Sequence, residues 1–123
     1  MATAEQIGAA VENYVRLVGS GSADDIVALF AADAVLEDPV GTDPRVGHEA
    51  IREFYQVIEN LDRSTELVTL RVAGQGAAFV FTLVTAMGEQ KVDLSPIDVM
   101  TFDDDAKITS MRAYWSQADL KVT

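Results

Sequence analysis

Asp98 stands in Asp93-Leu94-Ser95-Pro96-Ile97-Asp98-Val99-Met100-Thr101-Phe102, a strand-like run in which nearly every neighbour is apolar. A bare carboxylate is costly to bury, so an acid there either finds a strong partner or keeps its proton. A protonated acid is a hydrogen-bond donor, and inside an apolar pocket it can hold a developing oxyanion. Asp38, in Leu36-Glu37-Asp38-Pro39-Val40, stands where a strand would run out into a turn. One acid kept neutral and one kept ionised would divide the labour of proton-transfer chemistry.

Each of these residues also has a plainer reading. An aspartate after a strand commonly caps a turn, and a tyrosine on an apolar helical face, as Tyr14 is, commonly sits in the core with its hydroxyl tied to backbone. Asp98 is the more unusual of the acids, because strand-buried carboxyls are uncommon.

The elements that would position these groups follow from periodicity. Ile7, Ala10, Val11, Tyr14, Val15 and Val18 recur at helical spacing, predicting an amphipathic helix that ends near Gly19-Ser20-Gly21. Ser22 offers an N-cap, with Asp24 and Asp25 in the first turn and Ile26, Leu29 and Phe30 as the stripe of a short second helix. Val35-Leu36-Glu37 predicts a brief strand, which Pro39 ends by biasing Asp38 towards extended dihedrals. A loop over 41–47 leads to a third helix from His48 to Asn60, with Ile51, Phe54, Tyr55 and Ile58 on one face.

After Asn60 the period changes to two. Strand-like runs at 64–73, 76–87, 90–102 and 107–117 are separated by hairpin signals such as Met87-Gly88-Glu89. Pro96 cannot donate to a ladder, so a bulge or edge is expected there. By parity Leu94, Pro96, Asp98, Met100 and Phe102 share one face. Met111, Ala113 and Trp115 point one way in the last strand, while Arg112 and Tyr114 point the other. The second long strand, Phe79 to Leu83, is apolar on both faces, so both are expected to be covered. Helices followed by consecutive antiparallel strands predict an α+β fold in which a long hairpin sheet curls around three helices and leaves a pocket. The 123 residues are expected to form a single domain, 1–123.

Composition narrows the partners. Nine basic against twenty acidic residues leave a formal charge of −11, which repels phosphate backbones and anionic lipid. Nucleic acid and membrane are therefore not expected as partners. With no cysteine there is neither disulfide nor thiolate metal site, and with one histidine a histidine metal centre is not expected. His48 reads as a solvated helix-start residue, and Asp103-Asp104-Asp105 as a solvated turn lacking the pattern of a calcium loop. The N-terminal residues carry no signal-peptide pattern, and a soluble, cytoplasmic protein is expected.

In this order the residues resemble the bacterial ketosteroid isomerases (steroid Δ5-isomerases), of the nuclear-transport-factor-2-like, or SnoaL-like, superfamily. The resemblance runs nearly the full length. It is densest at Ile26 to Phe30, Glu37-Asp38-Pro39-Val40-Gly41, Ala50 to Tyr55, Pro96-Ile97-Asp98 and Ser110 to Ser116. It implies a cone: three helices packed in the concave face of a strongly curved, mixed, mainly antiparallel sheet, in a homodimer. It further implies conversion of a 3-oxo-Δ5-steroid to its conjugated Δ4 isomer without cofactor or metal. By position Asp38 matches the base that moves a proton from C4 to C6, and Tyr14 and Asp98 match the two donors to the C3 oxygen. This division of carboxyl roles is already known for ketosteroid isomerases and is carried over here. Tyr55 matches the tyrosine that supports the oxyanion tyrosine. Phe79, Phe81, Val99, Met100 and Trp115 fall in regions that form the steroid pocket of relatives. Some members have a further tyrosine where this chain has Phe30, so its hydroxyl network should be shorter.

Three other functions fit such a cone. Epoxide hydrolases of this shape resemble an Asp-Arg-Asp arrangement that directs water onto an epoxide, which here would need Arg112 to bridge Asp38 and Asp98 against its parity. Polyketide cyclases would need a wetter, more polar cavity. A non-catalytic binding module would leave Tyr14, Asp38 and Asp98 without a purpose.

Overall fold

The computed structural model describes all residues from Met1 to Thr123. Helix α1 (Ala4–Ser20) opens with a capping box in which Thr3 accepts from the Gln6 amide and Gln6 accepts from that of Thr3. Its buried stripe is Ile7, Val11, Tyr14, Val15 and Val18. A second capping box, Ser22 with Asp25, starts α2 (Ala23–Val27). This helix is shorter than its apolar stripe predicts. Phe30 leaves it and opens strand β1 (Phe30–Glu37), so that strand begins five residues before Val35.

The remaining elements are β2 (Arg45–Val46), α3 (His48–Gln56), β3 (Arg63–Ala73), β4 (Gly76–Met87), β5 (Gln90–Leu94), β6 (Ile97–Phe102), β7 (Ile108–Tyr114) and β8 (Lys121–Val122). The run predicted over 90–102 is two strands, because Ser95-Pro96 breaks the ladder. Helix α3 stops short of Asn60. The chain continues in tight turns, Ile58 and Leu61 donating to Tyr55 and Ile58 carbonyls, and Ile58 still packs on the core.

One sheet of eight strands runs β2-β1-β7-β6-β4-β5-β8, with β3 on the other side of β4. All pairs are antiparallel except β1 with β7, which is parallel. Register shifts interrupt β1–β7, β3–β4 between Leu67 and Thr69, and β6–β7 between Thr101 and Phe102. Such bulges add bend and twist, which curls the sheet around the helices. Helix α1 lies on β3 and β4, and α3 lies on β1 and β2. Gly19 permits the close approach of α1 to β3, since a Cβ there would run into Thr65. This is the expected α+β cone of three helices and a mixed, mainly antiparallel, curved sheet.

Arg63 fastens the helix ends. Its guanidinium donates to the carbonyls of Val18 at the end of α1, Gly21 before α2, and Glu59 and Leu61 beyond α3. Of these, the Val18 carbonyl lies in the last turn of α1, where the helix leaves carbonyls without an intrahelical partner. His48 is half-buried, and its Nε2 lies 2.8 Å from the Phe30 carbonyl, so it is not merely a solvated start of α3. Asp103 accepts from the Asp105 and Lys107 amides and shapes the β6–β7 turn.

Candidate active site

Helices α1 and α3 and several strands converge on one cavity of about 380 Å³ between the concave sheet face and the helices. That volume lies in the range of sites for compact small molecules. Helix α1 contributes Tyr14 and α3 contributes Phe54 and Tyr55; Asp38 follows β1, Asp98 comes from β6, and Trp115 follows β7. Ten of its fifteen lining residues are hydrophobic, so the polar groups stand in an apolar wall.

Parallel pairing of β1 with β7 explains how Asp38 meets Trp115. Glu37 pairs with Arg112 in register, and the Val40 amide donates to the Ala113 carbonyl at 2.8 Å. The two strands therefore run out at the same end of the sheet. Trp115 Nε1 donates to Asp38 Oδ1 at 2.7 Å. Burial pushes the Asp38 carboxyl above its ordinary value, while the Trp115 hydrogen bond and the Arg45 charge pull it back.

Asp98 is 1% exposed, with Phe79 and Ala113 as its ladder neighbours. Its Oδ1 has no hydrogen-bond partner in the protein. An orphaned polar atom inside a protein calls for a reason, and a ligand acceptor in the adjoining cavity supplies one. Desolvation holds the Asp98 carboxyl well above its ordinary value, and the nearby Asp38 charge adds to this. The neutral, proton-bearing form is therefore favoured.

Tyr14 and Tyr55 are both buried, their hydroxyls 2.7 Å apart. The Tyr55 hydroxyl also lies 3.9 Å from Met111 Sδ. Burial raises both phenols well above their ordinary value, so neither ionises near neutral pH. Phe30 packs its ring 6.4 Å from that of Tyr14 and 6.3 Å from that of Tyr55 but brings no hydroxyl. The chain of polar contacts thus ends at the Met111 thioether.

Of the predicted pocket residues, Phe81 and Trp115 line the cavity together with Tyr14, Asp38, Tyr55 and Asp98. Phe79 and Met100 do not reach it. Phe79 faces inward behind Tyr14, ring to ring at 6.1 Å, and Met100 is buried between its ladder partners Ala77 and Met111. Val99 is corrected more fully: strand alternation puts it on the outer sheet face, opposite Asp98 and Met100. Arg112 also points outward, 3.3 Å from Glu37 Oε1. It does not bridge Asp38 and Asp98.

Sequence reasoning missed three features. Helical spacing puts Phe54 on an apolar face without marking it for the site, where its ring stands edge-on to Tyr55 at 5.0 Å. Trp115 is expected only as wall, although a partly buried indole N–H requires an acceptor. Arg45 falls in a stretch with the composition of a loop, yet it lies at this cavity. No group of three or more His, Asp or Glu side chains is arranged to hold a metal ion. No helix is long and apolar enough to cross a membrane.

Residues 11–111 match the family model of the SnoaL-like domain. The chain belongs to the SnoaL-like family. The SnoaL-like chain is 48% identical over 118 residues to a steroid Delta-isomerase of Nocardioides simplex, covering 96% of each. A shorter match, 47% over 38 residues, is to the epoxide hydrolase LasB of Streptomyces lasalocidi, covering 31% of this chain and 14% of that protein. Among solved structures, SalBIII superposes with a TM-score of 0.91 at 29% identity over the whole of both chains. SalBIII is described as an epoxide hydrolase/cyclase-like enzyme with a role in pyran ring formation in the polyether salinomycin. The Mycobacterium tuberculosis protein RV0760c, at TM-score 0.89 and 20% identity over both whole chains, shares the SnoaL-like fold.

Proposed function

We propose that this SnoaL-like protein is a steroid Δ5-isomerase, its residues 1–123 working as one domain, that converts 3-oxo-Δ5-steroids to 3-oxo-Δ4-steroids. The near-full-length likeness to a steroid Delta-isomerase supports an isomerase. The observation that carries the reading is the unpartnered, buried Asp98 carboxyl beside Tyr14, facing Asp38 across one apolar cavity.

Removing a proton next to a ketone creates a dienolate whose charge collects on oxygen. Tyr14 and Asp98 donate to that oxygen, and neither brings a positive charge that itself needs solvation. Fixed donors stabilise the developing charge without reorganising, each worth on the order of 3 kcal/mol when deleted. Asp38 takes the proton from C4 and returns it to C6. Trp115 occupies its Oδ1, which leaves Oδ2 as the oxygen that receives the proton. With Tyr14 donating to substrate, Tyr55 turns its own hydroxyl proton towards Tyr14 and supports it as a donor. The chemistry asks no cofactor of these residues.

The decisive assay adds a β,γ-unsaturated 3-oxosteroid and follows the ultraviolet absorbance of the conjugated enone. Absorbance rising no faster than in buffer refutes the reading. Asp38→Asn should lose most turnover while still binding a planar phenolic steroid.

The likeness to SalBIII and LasB favours epoxide opening or ring closure as a second reading. Against it, no guanidinium hydrogen-bonds to either Asp38 or Asp98, and the cavity wall is mainly apolar. An epoxide substrate consumed faster than in buffer, with no enone formed, would reverse the ranking.

We further assign the protein to the cytoplasm as a homodimer. In support of a dimer, Val80, Ile97 and Tyr114 are ladder neighbours on the outer sheet face, joined by Ala78 and Val99. Ile97 is 50% exposed and Tyr114 43% exposed in the single chain. A contiguous apolar patch of this kind marks an association surface.

A further inference from the structure

Arg45 is an exposed arginine at the mouth of an apolar cavity, and it has no carboxylate partner. The three ion pairs of the protein involve Asp104, Asp24 and Glu37, with Met1, Arg52 and Arg112 as their cations. The Arg45 guanidinium instead rests on the Phe54 ring, 5.0 Å from its centroid, within the range of an attractive cation–π contact. Pairing of β2 with β1 sets it there, because Arg45 lies opposite Leu36, two residues before Asp38.

We propose that Arg45 is a positioning residue for the base, its charge keeping Asp38 in the carboxylate form that accepts the substrate proton. This inference rests on the isomerase reading and deepens it. The charged and titratable groups around Asp38 come from every wall of the cavity: Tyr14 from α1, Glu53 and Tyr55 from α3, Asp98 from β6 and Arg45 from β2. Arg45 is the only cation among them. Glu53 and any charge on Asp98 act in the opposite sense, and the Arg112–Glu37 pair lies on the outer face of the sheet.

The base needs such help because its position serves two conflicting demands. A wall dry enough to keep the transferred proton from water also disfavours a carboxylate. The indole of Trp115 answers with one hydrogen bond, and the guanidinium answers with charge, in keeping with its lowering effect on the Asp38 carboxyl. The Phe54 ring holds that charge at the rim, so no hydrogen bond from Arg45 competes for the oxygen that must receive the proton.

The test compares wild type with Arg45→Gln and Arg45→Lys in two measurements. One is the pH profile of kcat/KM for enone formation. The other is carbon-13 titration of the Asp38 carboxyl, which needs no turnover. Arg45→Gln should move the acidic limb and the Asp38 titration upward by about 0.5–1 unit, the effect of a nearby charge reduced by solvent at the mouth. Its rate deficit should therefore shrink as pH rises, and Arg45→Lys should restore the wild-type limb. High salt should move the wild-type limb towards that of the glutamine variant. Superimposable titrations of Asp38 in wild type and Arg45→Gln overturn the proposal, as does a rate loss equal at every pH. A wild type that forms no enone would sink the isomerase reading instead, while the titration would still decide whether Arg45 controls Asp38.

Discussion

Trp115 Nε1 donates to Asp38 Oδ1 across 2.7 Å, and the two residues directly follow the neighbouring parallel strands β7 and β1. The proposed base is thus aimed by sheet geometry as well as by its own turn. Trp115→Phe keeps the apolar wall and deletes the donor. With the N–H gone, the carboxylate loses stabilisation and the already raised Asp38 carboxyl moves further up. The acidic limb of the pH–rate profile should shift upward, and kcat/KM near neutrality should fall about tenfold, the worth of one hydrogen bond to a charged group. Affinity for a planar phenolic steroid should change little by comparison.

Tyr14 and Tyr55 should separate by magnitude. Tyr14→Phe removes a proposed direct donor and should lower kcat by about 10²–10³-fold. Tyr55→Phe acts only through the 2.7 Å contact between the hydroxyls, so about tenfold is expected. Steady-state kinetics would show both losses mainly in kcat, because the interaction strengthens as charge develops on the substrate oxygen.

Asp98 links activity to stability. Its carboxyl is raised by burial first and by the Asp38 charge second. Native protein therefore retains a proton that the unfolded chain releases above about pH 4. The stability tied to Asp98 is full below that pH and is lost as pH rises towards its native pKa. Asp98→Asn cannot ionise at this position, so thermal melts should show a smaller decline from pH 4 to 8 than in wild type. Asp98→Leu, which removes the proposed donor altogether, should cut turnover by about 10²–10³-fold.

The outer sheet face makes a prediction independent of catalysis. Ile97→Lys places a charge among Val80, Tyr114 and Val99 without touching the cavity. Sedimentation should show a dimeric wild type and a monomeric variant with unaltered far-ultraviolet circular dichroism. A variant that stays dimeric would place the interface elsewhere.

Much of this architecture was legible in the residues themselves. The stripe around Tyr14, the period-two runs after Asn60 and the break at Pro96 each follow from local steric rules, and the alternation of β6 put Asp98 inside. The same alternation places Val99 outside, so its assignment to the pocket came from the resemblance alone and fails on pleat geometry. Phe79 and Met100 face the right way but lie too deep, since parity decides the face and not the depth. What could not be read locally depends on pairing between distant segments. Nothing near Phe30 announces that it leaves α2 to pair with Ile108, and a two-residue strand at Arg45 carries no periodic signal. The Trp115–Asp38 contact needs a parallel pair joining segments 77 residues apart.

Arg63 ties together the ends of the two helices that carry Tyr14 and Tyr55. The support for those two helices thus includes a side chain that does not line the cavity. Loosening that knot would be expected to disturb the contact between the two hydroxyls without touching either ring.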